Sequence, residues 1–539
     1  MKRVITLLVV ALVTCLWAGG ALAHEETVPG GLGQVRFPTS CAASTQPVFE
    51  RGVALLHSFW YEEALKTFTT VTASDPSCAM GYWGIGMSVY YPLWQPPSEA
   101  MLTRGRAAVE KAGTLAATPR EKDYITALAT FYRDSDKLDH RTRAVTYEKA
   151  MEQVSLRYPE DREAAVFYAL ALDATAPPTD KTYANQLKAA AILEKVFVEQ
   201  PNHPGVAHYI IHSYDVPPLA SRSLVAARSY SKIAPAAPHA LHMPSHIFTR
   251  LGLWQESIDS NRASADAGKA YVAQQGGAYA WDQTLHAQDY LAYGYLQGAR
   301  DVAARRVVDE VAEYRKAEPE SLAAAYALVA VPARYALERR SWSDAAMMTV
   351  PQATFPWARY PWAEAITAFT RSLGASRTNN VASAEKDVDR LAALRDTLTQ
   401  GKNTYWADQV EVQRRAAAAF VARAKGNTAE ALTLLRSAAD LEATMEKHPV
   451  TPAPIVPARE LLGDLLLEVN RPADALKEFE TTLVTEPNRF RSLFGAARAA
   501  QLAGDQARAR SFYTTLVNLC GNADTERPEL REAKAFLAK

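Results

Sequence analysis

The chain of 539 residues is longer than one compact core normally supports, so we expect several domains or one elongated repeat array. Its 59 basic and 59 acidic residues cancel, which excludes the electrostatic footprint of a nucleic-acid-binding protein. The sequence has no phosphate-binding glycine loop, no GxSxG motif and no CxxC pair, so the common nucleotide, hydrolase and dithiol signatures are excluded as well.

The first 23 residues have the features of a cleavable signal peptide. Lys2 and Arg3 precede an almost unbroken apolar stretch over residues 4–18, and Ala21-Leu22-Ala23 supplies the small-x-small pattern that signal peptidase requires. Lipidation at Cys15 is a weaker alternative, because the apolar stretch continues beyond that cysteine. We therefore predict a periplasmic or secreted protein that does not insert into a membrane once the signal peptide is removed.

Residues 24–44 form the predicted N-terminal lead-in, which we expect to be flexible around Gly31-Leu32-Gly33. An oxidising compartment favours a disulfide between Cys41 and Cys78, which flank the first repeat described below. Cys520 would then be the unpaired cysteine, and we predict that it is buried rather than reactive.

A repeated spacing of small, bulky and proline residues predicts pairs of closely packed helices over residues 45–448 and again over 452–539. Small residues let two helices approach closely, and proline ends the second helix. Strand patterns are nearly absent. The residues that fit the spacing are, from Thr45, Gly52, Leu55, Ala64, Phe68 and Pro76; from Val456, Gly463, Leu466, Ala475, Phe479 and Pro487; and from Phe490, Ala497, Ala509 and Tyr513.

This spacing resembles that of the tetratricopeptide repeat (TPR) superfamily, which implies an all-α solenoid of TPR-like helical hairpins. Residues 113–199 and 318–400 keep the helical pattern and lose the motif, so we expect degenerate repeats or longer hairpins there. The proline-rich segment from His448 to Glu460 is the best candidate for a boundary between the solenoid and a C-terminal TPR unit.

Seven of the eleven histidines lie between positions 203 and 286, and their spacing follows the repeat. His208 and His212 are four residues apart, so both point from one face of a helix. His242 and His246 are spaced in the same way, 34 residues further along the chain. Two histidine pairs therefore recur with the repeat period, in the first helices of two successive repeats.

The two sequences around these pairs, HPGVAHYIIHSYD and HALHMPSHIF, resemble a group of exported bacterial TPR proteins with an HMPSHIF-type histidine motif. In proteins of this fold, the matching positions of the first helix line the concave groove where ligands bind. The resemblance therefore implies that the histidine pairs face a central groove. It implies no particular reaction. Pro244 is expected to kink the second histidine helix.

Imidazole is a favoured ligand of Zn, Cu, Ni and Fe, and paired histidines on one helix chelate well. We predict a transition-metal site formed by His208, His212, His242, His246 and His286. His239, Asp215, Asp289 and His57 are the further candidates for ligand binding. Asp215 or Asp289 would complete the coordination or orient a ring nitrogen from outside it.

Two alternatives stay open at this point. The histidines could form an acid–base site for an organic ligand, without a metal and with or without catalysis. The chain could instead be a TPR scaffold that binds a peptide or protein partner in its groove, with no metal and no catalytic role. The missing HExxH motif excludes only the zinc-protease signature.

Overall fold

The computed structural model describes residues 31–351 and 354–539. The predicted signal peptide lies outside these residues. Within them, almost all regular structure is α-helical, which confirms the predicted fold class. No helix in the described ranges is long and apolar enough to cross a membrane.

Between residues 31 and 274, the chain forms thirteen helices and one short 3-10 turn, Ala220–Ser223. The helices are α1 Gln46–His57, α2 Tyr61–Ser74, α3 Ala79–Ser88, α4 Glu99–Leu115, α5 Pro119–Tyr132, α6 His140–Arg157, α7 Arg162–Thr175, α8 Ala184–Glu199, α9 Pro204–Tyr214, α10 Leu224–Ile233, α11 Pro238–His242, α12 Pro244–Arg250 and α13 Trp254–Gln274.

The described residues after 274 form thirteen more helices, a 3-10 turn at Trp357–Arg359, and two short parallel strands, β1 Ala280–Trp281 and β2 Ala317–Glu318. The helices are α14 Asp282–Gln297, α15 Asp301–Glu313, α16 Leu322–Glu338, α17 Trp342–Ala346, α18 Pro361–Arg377, α19 Val381–Gln400, α20 Thr404–Ala424, α21 Thr428–Ala443, α22 Ala458–Glu468, α23 Pro472–Thr485, α24 Phe490–Leu502, α25 Gln506–Leu519 and α26 Pro528–Leu537.

Glycines in the first helix of a hairpin allow that helix to pack closely against the neighbouring hairpin. Phe68 of α2 lies between α1 and α3, and a Cβ added to Gly52 or Gly84 would come within 2.7 Å or 2.3 Å of its ring. Phe479 of α23 occupies the matching place between Gly463 of α22 and Gly495 of α24. The spacing of small and bulky residues thus marks the positions where neighbouring helices approach most closely.

The two stretches without the motif also form helices that pack on their chain neighbours, α4 to α8 and α16 to α19. Buried alanines and aromatic rings such as Ala144 and Tyr147 take part in this packing, and Gly374 of α18 lies close to the backbone of α17. The second histidine helix is divided at Met243 into α11 and α12, which agrees with the predicted effect of Pro244.

The described part of the lead-in, residues 31–44, differs from the flexible segment that we predicted. Leu32, Val35 and Phe37 are buried. Gly33 adopts a left-handed backbone conformation, with φ +83°, and its Cα lies so close to the Asn202 carbonyl oxygen that a Cβ would come within 2.8 Å. The glycines therefore permit close packing along the central repeats.

Cys41 and Cys78 are joined by a disulfide, which ties the lead-in to the start of α3. Cys520 is free and buried, as predicted. Burial raises the pKa of its thiol to about 12, so the thiol stays protonated.

The segment from His448 to Glu460 is packed into the interior, although its composition suggested a boundary. Arg334 donates hydrogen bonds to the carbonyl oxygens of Ala453 and Pro454, both at 2.7 Å. Tyr290 donates to the carbonyl oxygen of Thr451. The segment connects two parts of one packed structure, because its backbone carbonyls are bound by side chains of the central helices.

Candidate metal centre

Six histidines from four helices meet in the centre of the molecule. Pro204 and Pro238 each occupy the first position of a helix, α9 and α11 respectively. Helix α11 packs against α14, and α12, which follows α11, packs against α9. The helix break at Met243 separates His242 from His246, yet their ring nitrogens still lie 2.9 Å apart. The six residues are His208 and His212 of α9, His239 and His242 of α11, His246 of α12, and His286 of α14.

The first set of three contains His208, His212 and His239. The Nε2 atom of His208 lies 3.1 Å from Nε2 of His212 and 3.2 Å from Nε2 of His239. The three candidate ligand atoms all lie within 4.8 Å of one another. This spacing allows one ion to bind all three nitrogens, each at about 2.0–2.1 Å, after small side-chain movements.

The second set contains His242, His246 and His286. The Nε2 atoms of His242 and His246 are 2.9 Å apart, and the ring of His286 lies 4.1 Å from that of His242. Their candidate ligand atoms again lie within 4.8 Å of one another. The second set therefore has the same composition and compactness as the first.

The two sets are neighbours. The ring centroids of His239 and His242, one from each set, are 5.8 Å apart, and those of His212 and His246 are 5.9 Å apart. Both sets belong to one cluster of six imidazoles, in which two ions would lie close together.

Hydrogen bonds at Nδ1 determine which nitrogen carries the proton. His208 Nδ1 donates to the carbonyl oxygen of His57 at 2.6 Å, and His246 Nδ1 donates to Asp215 Oδ2 at 2.9 Å. His242 Nδ1 donates at 2.6 Å to Asn261 Oδ1. The Asn261 amide is itself oriented, because its nitrogen donates to the Ser257 carbonyl.

His239 Nδ1 lies 3.0 Å from Gln283 Oε1, which completes the pattern. A neutral imidazole has one N–H, and in four of the six rings that group is directed at an oxygen outside the cluster. The Nε2 lone pairs of these rings consequently point at one another. Two lone pairs 2.9 Å apart repel unless a cation lies between them.

Burial keeps these imidazoles neutral. It lowers the pKa of His208, His239, His242 and His286 well below the ordinary value, and the neighbouring histidines lower it further. Burial lowers the pKa of His212 to about 3. The Nε2 atom of His286 is buried and has no hydrogen-bond partner among the described residues. Neutral imidazoles with free lone pairs are the form that binds metals.

Aromatic rings enclose the cluster. Phe59 lies parallel to the rings of His212 and His239, at 5.7 Å and 5.3 Å. Tyr230 stacks on His208, and Tyr290 stacks on His246. The site is therefore more enclosed than the open groove that we predicted, and only His212 is partly exposed.

Phe59 has a left-handed backbone conformation, with φ 51°. The matching turns of other repeats have Gly252 and Asn470, but also Ala299 and Arg340, so this turn position admits several residue types. At Phe59, the side chain contributes the ring contacts with the histidines.

Asp215 lies outside the cluster and carries the main negative charge beside it. Its carboxylate contacts His246 Nδ1, Lys447 Nζ at 2.7 Å and Arg250 Nε at 2.9 Å. Burial opposes ionisation, yet Lys447 and Arg250 hold the pKa of Asp215 well below its usual range. Asp215 thus orients the His246 ring, and the charge of Asp215 is already balanced by Lys447 and Arg250.

The other candidate residues lie further out. Asp289 lies beside Arg334, at 3.4 Å, and burial raises its pKa to about 6. The His57 ring lies between Glu163 and Tyr209, and only its carbonyl oxygen reaches the cluster. Glu163 also binds His203, which forms a separate buried network that the sequence pattern did not reveal.

A cavity of about 750 Å³ reaches the cluster from one side. His212 and Asp215 contribute to its lining, together with Trp94, which contacts His239 and His286 edge-on. The partly exposed histidine therefore connects the enclosed cluster to a space of the size that small-molecule sites have.

Comparison with known proteins adds little to this geometry. No protein-family model matches the chain, and no curated protein matches it. Among solved structures, the chain is similar to yeast Tom70, with 12% sequence identity, a TM-score of 0.28, and coverage of 92% of this chain and 96% of that chain. It is also similar to Naa15/Naa10 bound to HypK-THB, with 13% identity, a TM-score of 0.23, and coverage of 92% and 74%. At these TM-scores neither likeness supports an argument, so the fold class rests on the helices themselves.

Proposed function

We propose that this protein is an exported metalloprotein that binds two transition-metal ions in the six-histidine cluster. One ion binds His208, His212 and His239, and the other binds His242, His246 and His286. His239, which we first considered as a contact for a small ligand, thereby becomes a metal ligand. Bound metals would supply Lewis-acid or redox chemistry next to the cavity.

One observation carries the proposal. The Nε2 atoms of His242 and His246 are 2.9 Å apart while both rings donate their N–H groups outwards, to Asn261 and Asp215. Such hydrogen bonds at the second ring nitrogen are the usual support of metal-bound histidine. A purely structural histidine cluster would instead direct an N–H group of one ring at a lone pair of the next.

Copper is the ion that we propose. The two ligand sets consist of neutral nitrogens, and the nearest carboxylate, Asp215, is balanced by Lys447 and Arg250. Buried positive charge is costly, which favours the singly charged state that copper can adopt. Divalent copper also has the highest affinity of the first-row ions for such sites. Zinc, nickel and iron remain outcomes of the test.

The location that we propose is the periplasm or the extracellular space, because of the signal-peptide features of the first 23 residues. The resemblance to exported TPR proteins with the HMPSHIF-type motif agrees with this location. TPR-like solenoids are commonly interaction scaffolds, and a peptide or protein partner is the alternative function.

Elemental analysis of untagged protein exported through its own signal peptide tests the proposal. The protein is depleted with a chelator, incubated separately with each ion, and desalted. We expect about two copper ions per chain in the wild type and about one in each of the variants His208→Ala and His242→Ala. The double variant should bind none, and His140→Ala, which alters a histidine outside the cluster, should still bind two.

Equal metal content in the wild type and the double variant would refute the proposal, as would the absence of every ion from the wild type. Zinc at the same stoichiometry would support the centre and correct the identity of the ion. If no metal binds, the interaction scaffold becomes the better interpretation, and pull-down experiments with periplasmic extract would follow.

A further inference from the structure

The cavity beside His212 has properties that the metal centre does not need. Its volume of about 750 Å³ lies within the range of small-molecule sites. It extends from the histidine cluster to α6, α7 and α8, where His140, Asp173 and Gln186 line it. A path for a metal ion alone would require much less space.

Aromatic side chains form much of the cavity lining. They come from the loop after α3, from the loop before α18 and the first turn of α18, and from the start of α20. The principal ones are Trp94, Tyr360, Trp362, Tyr405 and Trp406. Surfaces of this kind bind aromatic molecules through ring contacts and the burial of apolar area.

Four lining residues, from the loop after α3 to α8, carry buried polar atoms without partners among the described residues. The hydroxyl of Tyr90 and Oδ1 of Asp173 belong to lining residues that are 1% and 7% exposed, and neither atom has a hydrogen-bond partner among the described residues. His140 Nδ1 and Gln186 Oε1 are unpartnered in the same region. Buried polar groups nearly always have a partner, so these four atoms indicate a polar group of a ligand.

The charges around the cavity are mostly paired within the protein. Lys447 binds Asp215, and Arg359 binds Glu320. Burial raises the pKa of Asp173 well above its ordinary value, which keeps that acid neutral. A neutral ligand with hydroxyl groups, which both donate and accept, matches this balance better than an anion does.

We infer that the cavity binds a neutral aromatic molecule that carries a hydroxyl group. Its ring lies against the tryptophan and tyrosine side chains near His212, and its hydroxyl group reaches Tyr90 and Asp173. This inference deepens the proposed function, because it assigns a substrate class to the space beside the metal centre. Ligand binding itself depends on the cavity and does not require the metals.

Calorimetric titration with tyrosol, which has a phenol ring and a terminal hydroxyl group, tests the inference. Para-ethylphenol lacks the terminal hydroxyl, and cyclohexanol lacks the aromatic ring. We expect tyrosol to bind most tightly and cyclohexanol to show no binding. Tyr90→Phe should weaken tyrosol binding about fivefold, the effect of one lost hydrogen bond, and should leave para-ethylphenol unchanged.

Two variants serve as controls. Tyr147→Phe removes a neighbouring hydroxyl that does not line the cavity, and it should not change tyrosol binding. Because the Tyr90 hydroxyl has no hydrogen-bond partner among the described residues, Tyr90→Phe should not lower the thermal midpoint. Weaker binding at an unchanged thermal midpoint would then not be a consequence of unfolding.

The titrations are run on the full chain, once without metal and once after copper loading. Failure of tyrosol to bind either form would overturn the inference, and so would equal binding of cyclohexanol or an unchanged affinity in Tyr90→Phe. Binding to the metal-free form supports the inference even if elemental analysis refutes the metal centre. The two proposals can therefore fail separately.

Discussion

At the scale of single residues, hydrogen bonds from histidine Nδ1 atoms to residues outside the cluster orient the imidazole rings. Asn261 directs the His242 ring, and its own orientation is fixed by the Ser257 carbonyl. A side chain that binds no metal therefore determines which nitrogen of His242 is available. Outer hydrogen bonds of this kind commonly change metal affinity as much as a ligand does.

Asn261→Ala tests this role. We expect copper affinity, measured by competition with a chelator, to fall about tenfold to a hundredfold because His242 loses the acceptor that orients its ring. Ser264→Ala is the matched control, since Ser264 lies on the same helix and donates to the Pro238 carbonyl without contacting a histidine. Equal affinities in the two variants would contradict the assigned role.

The sequence predicted the paired histidines better than their grouping. The recurrence of His208 and His212 as His242 and His246 follows from the repeat, so both pairs could be read from spacing. The grouping could not: His239 joins the first set although it belongs to the second repeat. That grouping depends on how α9 and α11 pack, and no periodic pattern encodes it.

At the scale of helices and hairpins, glycines determine how closely neighbouring repeats pack. Gly84 of α3 faces the ring of Phe68, whereas Gly113 of α4 has no atom within 4 Å of an added Cβ. The two glycines therefore differ in the space around them while both lie in helices. Only the first is required by packing.

The variants Gly84→Ala and Gly113→Ala should accordingly change stability in opposite directions. Gly84→Ala should destabilise the fold by about 1–3 kcal/mol through overpacking against Phe68. Gly113→Ala should stabilise it by about 0.5–1 kcal/mol, since alanine favours the helix. Thermal unfolding followed by circular dichroism measures both, and a stabilising effect of Gly84→Ala would show that the interface has spare room.

The hairpins with clear motifs could be predicted, because the motif places small residues where neighbouring helices pack closely. The segment from His448 to Glu460 could not, since its prolines match those of a linker. Its apolar residues, such as Val450, Ala453 and Ile455, are the signal that could have indicated burial. The prolines of this segment indicate a flexible linker, whereas its apolar residues indicate burial. The local pattern does not decide between the two.

At the scale of the whole molecule, the C-terminal repeats are fixed to the central ones. Arg489 is fully buried and contacts Glu338 of α16, Glu460 of α22 and the hydroxyl of Tyr293 on α14. Trp254 donates to the carbonyl oxygen of Asn488. The predicted C-terminal unit, residues 452–539, therefore packs against the solenoid through buried charges and hydrogen bonds.

Arg489→Ala should destabilise the protein by about 3–5 kcal/mol, because it leaves two buried carboxylates without their partner. Arg498→Ala, which removes an exposed partner of Glu532, should cost less than about 1 kcal/mol. Urea unfolding with limited proteolysis compares the two. A small effect of Arg489→Ala, with no new cleavage near residue 450, would mean that the C-terminal repeats are held by other contacts.

The surroundings of the histidine cluster come from remote parts of the chain. Phe59 follows the first helix, Tyr290 lies in the middle, and Lys447 precedes the last hairpins. An isolated pair of histidine helices would lack all three. Under our proposal, a partly folded chain would release its ions, and a fully folded chain would keep them. Tight metal retention would therefore show that translation, export and folding are complete.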